Sequence, residues 1–175
     1  MGSNKAFFLD KDGTLVELAG YPDIIPSDKL LKDHILTGLK AIQAKGYRLF
    51  IVSNQPWIAK GRLTEEETHA IFKNVTAQLA AENIHIHDYT FCPHQSSDNC
   101  PCKKPKTPLY EALAKKHSVN IQESYFVGDM DADIQAGKKL GGKTILVRTG
   151  LGKDYEHTVT PDFILNDLNE IETIL

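Results

Sequence analysis

Ala6-Phe7-Phe8-Leu9-Asp10-Lys11-Asp12-Gly13-Thr14 reads as a short buried strand that runs into an acidic turn. An apolar run of this length, bounded by a turn signal, predicts a strand over 6–9. Gly13 permits the sharp turn that follows, and Thr14 helps to turn the loop. Asp10 and Asp12, two residues apart as the chain leaves the strand and followed by Gly13, form a compact acidic hook.

Outward from this hook the chain alternates between strand-like and helix-like segments. Residues 15–32, with Pro22 and Pro26, form an irregular stretch. A helix is expected over 33–45, where Ile35, Leu36, Leu39 and Ile42 repeat at helical spacing and Gly46 stops the run. A second strand over 47–52 ends at Ser53-Asn54-Gln55. Thr64 and Glu67 make a capping box for a helix reaching about Glu82. A third strand over 88–91 leads into a Cys/His loop at 92–102. Pro108 opens a helix that reaches His117. A fourth strand over 125–127 ends at Gly128-Asp129, and a helix over 132–140 is closed by Gly141-Gly142. A fifth strand covers 144–147, and the tail 162–175 gives one more strand and a last helix.

Such alternation predicts one α/β domain over 1–175, a doubly wound parallel sheet covered by helices. Neither 15–32 nor 56–88 leaves room for a cap domain. Asp10, Ser53 and Asp129 each follow a predicted strand. Open parallel sheets bind ligands at the carboxyl ends of their strands, so these three residues should meet along one edge.

The bulk composition limits the function classes. The chain of 175 residues, 41% hydrophobic and 25% charged, fits one soluble core. A net charge of −3 gives no general attraction to nucleic acid. No apolar run approaches the roughly 18 residues that would span a membrane. The first residues carry no signal-peptide pattern, so a cytoplasmic monomer is expected.

The acidic hook carries chemistry. An ionised Asp10 can attack phosphorus without first losing a proton. Asp12 can protonate the leaving oxygen and later activate water. The second acidic cluster, Gly128-Asp129-Met130-Asp131-Ala132-Asp133, lets Asp129 join Asp10 in holding Mg²⁺, a hard cation that takes oxygen ligands. That cation would offset the repulsion between carboxylate and phosphate. Asp133 fits a supporting role beside the metal, and Asp131 a helix cap. Ser53 offers a hydroxyl to a phosphoryl oxygen. Lys104, within Lys103-Lys104-Pro105-Lys106, offers a fixed cation.

These four segments, in this order, resemble the haloacid dehalogenase-like hydrolases, which have a Rossmann-like fold. The resemblance implies Asp10 as nucleophile, Asp12 as general acid and base, and Ser53 and Lys104 as phosphate binders. It also implies Asp129 as a metal ligand together with the Asp10 side chain and the Asp12 main-chain carbonyl. A receiver-like domain that stores phosphate on an aspartate is the non-enzyme alternative. Asp12 argues against it, because a built-in acid and base promotes turnover.

Cys92-Pro93-His94 and Cys100-Pro101-Cys102 supply three thiols and an imidazole within eleven residues. That set suits a closed tetrahedral Zn²⁺ site with a structural role. An odd number of cysteines in a reducing compartment argues against disulfides. The ion would fix the loop that presents Lys104. His85 and His87 read as surface residues.

A zinc loop just before a Lys-Pro motif, with Ile58-Ala59-x-Gly61 and Val147-Arg148-Thr149-Gly150, resembles one branch of the superfamily. It is the branch of the D-glycero-D-manno-heptose 1,7-bisphosphate 7-phosphatases and histidinol-phosphate phosphatases. Three features depart from its pattern: Pro56-Trp57, Lys103 and the stretch 17–26. The resemblance implies a small phosphorylated sugar as substrate, with histidinol phosphate as the alternative. Asn54 and Gln55 can pair with sugar hydroxyls, and Lys103 adds a charge for a second phosphate.

Overall fold

A computed structural model describes residues 4–18 and 27–175. The predicted stretch at 17–26 lies mostly outside them. The elements run β1 (Ala6–Leu9), α1 (Lys32–Ala44), β2 (Arg48–Asn54), α2 (Glu65–Ala81), β3 (Ile86–Cys92) and α3 (Pro108–His117). They continue with β4 (Tyr125–Gly128), α4 (Asp131–Leu140), β5 (Lys143–Val147), α5 (Gly152–Tyr155) and β6 (Phe163–Leu165). The six strands form one parallel sheet in the order β3-β2-β1-β4-β5-β6.

Period-two alternation divides the strand residues between two cores. Phe7 and Leu9 join Leu49, Ile51, Val127 and Val147 on the face covered by α1 and α2, through Ile35, Leu39, Phe72 and Val75. Ala6 and Phe8 join Phe50, Val52 and Phe126 on the other face, against Tyr110, Leu113 and Ala114 of α3 and Ala136 of α4. Phe8 stacks between Phe50 and Phe126, with ring centroids at 5.5 and 5.1 Å. Burying each such ring contributes about 1.5–3 kcal/mol, which makes β1 the keel of both cores.

The strand order reverses at β1. From β1 the chain moves to β2 and β3 on one side, then returns to β4 on the other. Leu9 pairs with Val127, and the Asp10 amide donates to the Val127 carbonyl at 2.9 Å. Asp10 and Asp129 therefore leave adjacent strands at the switch point where doubly wound sheets bind ligands.

Several boundaries differ from the sequence expectation. β2 continues through Ser53 and Asn54 because the ladder to Phe91 and Cys92 persists; neither residue lies beyond the strand end. β3 starts at Ile86 and ends at Cys92, so the first zinc-loop cysteine belongs to a strand. The tail ends in a 3₁₀ turn over Leu168–Thr173, where an α-helix was expected. Asp167 accepts from the Asn169 amide there, and the segment is too short for a sustained α-helical ladder. The helix α5 had no counterpart in the sequence reading. The Thr64–Glu67 capping box is present as expected. Among the described residues no helix is long and apolar enough to cross a membrane.

Candidate active site and metal centres

A cleft of about 430 Å³ opens at the carboxyl edge of β1, β2 and β4. Asp10, Asp12, Ser53, Asn54, Lys103, Lys104, Asp129 and Asp133 all reach it. A wider depression of about 740 Å³ at the opposite edge, lined by Arg48, His87 and His117, contains none of these groups.

Lys104 lies at the centre of the cleft floor. Its ammonium donates to Asp10 Oδ1 at 2.7 Å, Asp133 Oδ1 at 2.6 Å and the Val52 carbonyl at 2.8 Å. All three hydrogens are therefore used. Burial pushes the ammonium down, but Asp10 and Asp133 beside it hold it well above its ordinary value. Asn54 clamps the Lys104 backbone from β2. Its Oδ1 accepts from the Lys104 amide at 2.9 Å, and its Nδ2 donates to the Lys104 carbonyl at 3.2 Å.

Carboxylate oxygens of Asp10, Asp129 and Asp133 lie within 4.8 Å of one another. Burial and the nearby Asp10 push the Asp129 carboxyl well above the usual carboxylate range. Burial, only partly offset by Lys104, raises Asp133 to about 7. Asp129 Oδ2 accepts from the Leu151 amide at 2.8 Å, whereas Oδ1 is buried with no hydrogen-bond partner. A cluster of hard oxygens with an orphaned buried acceptor fits a hard divalent cation. Asp131 caps nothing: Met130 is the N-cap residue, and Asp131 accepts from Gln135 at 3.2 Å inside the first turn of α4.

Asp12 is held at both oxygens. Lys11 donates to Oδ1 at 2.5 Å, and Gln55 Nε2 donates to Oδ2 at 2.6 Å. Burial raises its carboxyl, with Lys11 working in the opposite direction. The same Gln55 amide group donates to Ser53 Oγ at 2.9 Å. Gln55 is buried and does not line the cleft, so its amide organises Asp12 and Ser53, which differs from the sugar-facing position expected for it. Asn54 lines the cleft with both ends of its amide already engaged. Thr14 donates its amide to the Lys11 carbonyl at 3.3 Å, as a turn residue does.

Lys11 escaped the sequence reading. It is fully buried, also donates to the Ser27 carbonyl at 3.1 Å, and lies 5.6 Å from the centre of the Phe72 ring. Alternation offered a signal. If Asp10 and Asp12 face the cleft, the residue between them points toward the α2 core.

The Cys/His loop closes on itself. Cys92 Sγ lies 3.5 Å from Cys100 and 3.1 Å from Cys102; His94 Nδ1 lies 3.6 Å from Cys92 and 3.3 Å from Cys102. A tetrahedron with Zn–S bonds near 2.3 Å has edges of roughly 3.8 Å, so the donor set fits zinc in kind and size. Burial and the Cys102 thiol push Cys92 up to about 12. At Cys100 the amides of Lys103 and Cys102 outweigh burial and lower the thiol to about 6. The loop is tied to the Trp57 segment by Gln55 N to Cys92 O at 2.7 Å and Ala59 N to Pro93 O at 3.1 Å. Trp57 forms part of the cleft wall, with Lys60 4.6 Å from its ring centre. Lys103 reaches the cleft and donates to the His94 carbonyl at 3.4 Å. His85 and His87 are exposed, at the far end of β3.

A doubly wound sheet with an Asp-x-Asp hook and an acidic cluster at its switch point defines a haloacid dehalogenase-like hydrolase. Comparison with known proteins agrees. A family model described as HAD-hyrolase-like matches residues 101–171. A D-glycero-beta-D-manno-heptose-1,7-bisphosphate 7-phosphatase of Haemophilus influenzae is 32% identical, over 98% of this chain and 97% of its own. A D-glycero-alpha-D-manno-heptose-1,7-bisphosphate 7-phosphatase of Photorhabdus laumondii is 33% identical over 83% of this chain and 84% of its own. In fold, the chain is similar to a D,D-heptose 1,7-bisphosphate phosphatase from B. bronchiseptica, solved with magnesium and phosphate. That similarity has a TM-score of 0.86 and 23% identity, covering 97% of this chain and 96% of the other. The chain belongs to the haloacid dehalogenase-like hydrolases, in the branch that contains these phosphatases.

Proposed function

We propose that the chain removes the 7-phosphate of a D-glycero-D-manno-heptose 1,7-bisphosphate through an aspartyl-phosphate on Asp10. The observation that carries the reading is the junction of Asp10, Lys104 and the Asp129 cluster on the floor of a cleft whose mouth holds a second cation, Lys103.

Asp10 attacks phosphorus as the bond to the sugar oxygen breaks. Asp12 gives that oxygen its proton, a task favoured by a carboxyl raised through burial. The resulting Asp12 carboxylate then takes a proton from water, which attacks the same phosphorus. The acyl-phosphate bond breaks, Asp10 is regenerated and phosphate leaves. Ser53 offers its hydroxyl to a phosphoryl oxygen, and Lys104, whose backbone Asn54 fixes, sets a positive charge beside it and turns one hydrogen to the phosphoryl group as its bond to Asp10 or Asp133 gives way. Asp10, Asp129 and the Asp12 carbonyl would hold Mg²⁺, which supplies positive charge against the approach of two anions. Asp133 orients Lys104 beside them. Cys92, His94, Cys100 and Cys102 would hold a structural Zn²⁺ and thereby fix the backbone that carries Lys103 and Lys104. The net charge of −3 speaks against nucleic acid and the unpaired cysteines fit a reducing cytoplasm, where the enzyme is proposed to act as a monomer.

The test is kcat/KM on both anomers of the heptose bisphosphate and on histidinol phosphate, for wild type and Lys103→Ala. Wild type should prefer a bisphosphate, and the variant should lose most of that preference. A wild-type preference for histidinol phosphate would remove the sugar and leave the Asp10 chemistry in place.

A further inference from the structure

Asp129 is gripped at one oxygen and left bare at the other, and the grip comes from two segments far apart in sequence. A Cβ placed on Gly150 would stand 2.2 Å from Asp129 Oδ2 and 2.6 Å from the Gly13 Cα. A Cβ on Gly13 would stand 2.2 Å from the same oxygen and 3.1 Å from the Gly150 Cα. Both distances to Oδ2 are too short for any real side chain. The Leu151 amide completes the grip at 2.8 Å. Oδ1 of the same carboxylate is buried with no partner. Both glycines have positive φ, +80° for Gly13 and +56° for Gly150.

The geometry points to Gly150 as a positioning residue for the divalent cation: with Gly13 it forms a bare-backbone cradle that pins Asp129 Oδ2 and so aims Oδ1 at the metal. A carboxylate bonded at one oxygen and walled in there by bare backbone turns less freely about its last bond, so its other oxygen keeps a preferred direction. A methyl group on Gly150 must displace either the carboxylate or the turn that carries the Leu151 amide. In both cases the restraint on Oδ1 is lost. Val147-Arg148-Thr149-Gly150 thus has a task beyond resemblance, although Gly150 lies on the turn after β5 and does not line the cleft. The inference rests on the reading of Asp129 as a metal ligand.

The structure supplies its own control. Gly141 also has positive φ, +75°, but a Cβ there would meet nothing within 4 Å. Gly141→Ala therefore imposes a similar backbone cost without touching the cradle. Mg²⁺ is titrated by calorimetry into wild type, Gly150→Ala and Gly141→Ala, with thermal melts taken in parallel. Gly150→Ala should weaken Mg²⁺ binding about 10–100-fold, the usual loss when a group that orients a ligand is changed. Gly141→Ala should bind as wild type does, although its melting temperature falls. If Gly150→Ala does not fold, Gly13→Ala delivers a methyl to the same oxygen from the other segment and takes its place. Wild-type affinity in the Gly150 variant, or an equal loss in the Gly141 variant, would overturn the cradle. Failure of wild type itself to bind Mg²⁺ would instead remove the metal reading, and the cradle's purpose with it.

Discussion

The carboxyl edge carries two ligand clusters that differ in almost every physical respect. The Asp10–Asp129–Asp133 cluster offers hard oxygens, all buried, with Lys104 as the interior cation among them. It keeps a buried acceptor without a partner, and burial, aided by the nearby Asp10, pushes the Asp129 and Asp133 carboxyls upward. The Cys92–His94–Cys100–Cys102 cluster offers four softer donors that contact one another. The first is a charged arrangement with a buried acceptor to spare, which suits the exchangeable metal and the phosphate of the proposed reaction. The second supplies four donors, which would fill a tetrahedral zinc and leave no open position, as a structural site requires. Asn54 and Lys103-Lys104 join them, so rigidity made at one cluster is spent at the other.

The comparison breaks most severely at the oxygen cluster. Asp10→Asn should fold and lose activity by about four orders of magnitude or more, measured as kcat on the preferred bisphosphate. Near-normal turnover would remove the covalent route. Lys104→Met should come next. Losing one fixed charge at a transition state costs about 10²–10³-fold in kcat. The variant should also melt earlier, since Asp10 and Asp133 are left buried without their cation. An unchanged kcat would show that Lys104 is only a strut.

Cys100→Ala tests the link between clusters. Zinc content should fall well below one per chain, and kcat should drop about 10–100-fold through loss of Lys104 positioning. Mg²⁺ affinity should stay near that of wild type, because no cysteine touches Asp129. Equal loss of both metals would dissolve the distinction.

The smallest effect is one of stability. A carboxyl raised in the folded state stabilises the fold while protonated. That contribution is complete below the ordinary value of 3.8 and is lost as pH rises through the folded value. Asp129→Asn has no such loss. In Mg²⁺-free buffer the variant should melt above wild type by a margin that widens as pH rises above 3.8. Added Mg²⁺ should narrow that margin by raising wild type alone. A margin independent of pH would argue against buried repulsion at Asp129.

The sequence made the frame of this account readable to different depths in different places. Phe7, Phe8 and Leu9 placed β1 because a buried parallel strand must be apolar on both faces. Asp10, Asp129 and the Cys/His loop were legible because their chemistry is local: residue type and spacing carry it. Gln55 and Lys11 were not, because what each does depends on which way its side chain turns after the strand. The extension of β2 through Ser53 and Asn54 depends on β3 as a hydrogen-bonding partner. Gly150 was visible only as part of a resemblance, since the carboxylate it packs against lies 21 positions earlier in the chain, and only the fold brings them together.

In the proposed reaction Asp10 carries the phosphoryl group from the sugar to water. Rapid acid quench during turnover of a heptose bisphosphate, followed by mass spectrometry of the peptides, tests it directly. One phosphate should appear on the peptide bearing Asp10, should rise and decay with substrate, and should be absent from Asp10→Asn. Full turnover with no phosphorylated Asp10 peptide, or a phosphate held on another residue, would contradict the account.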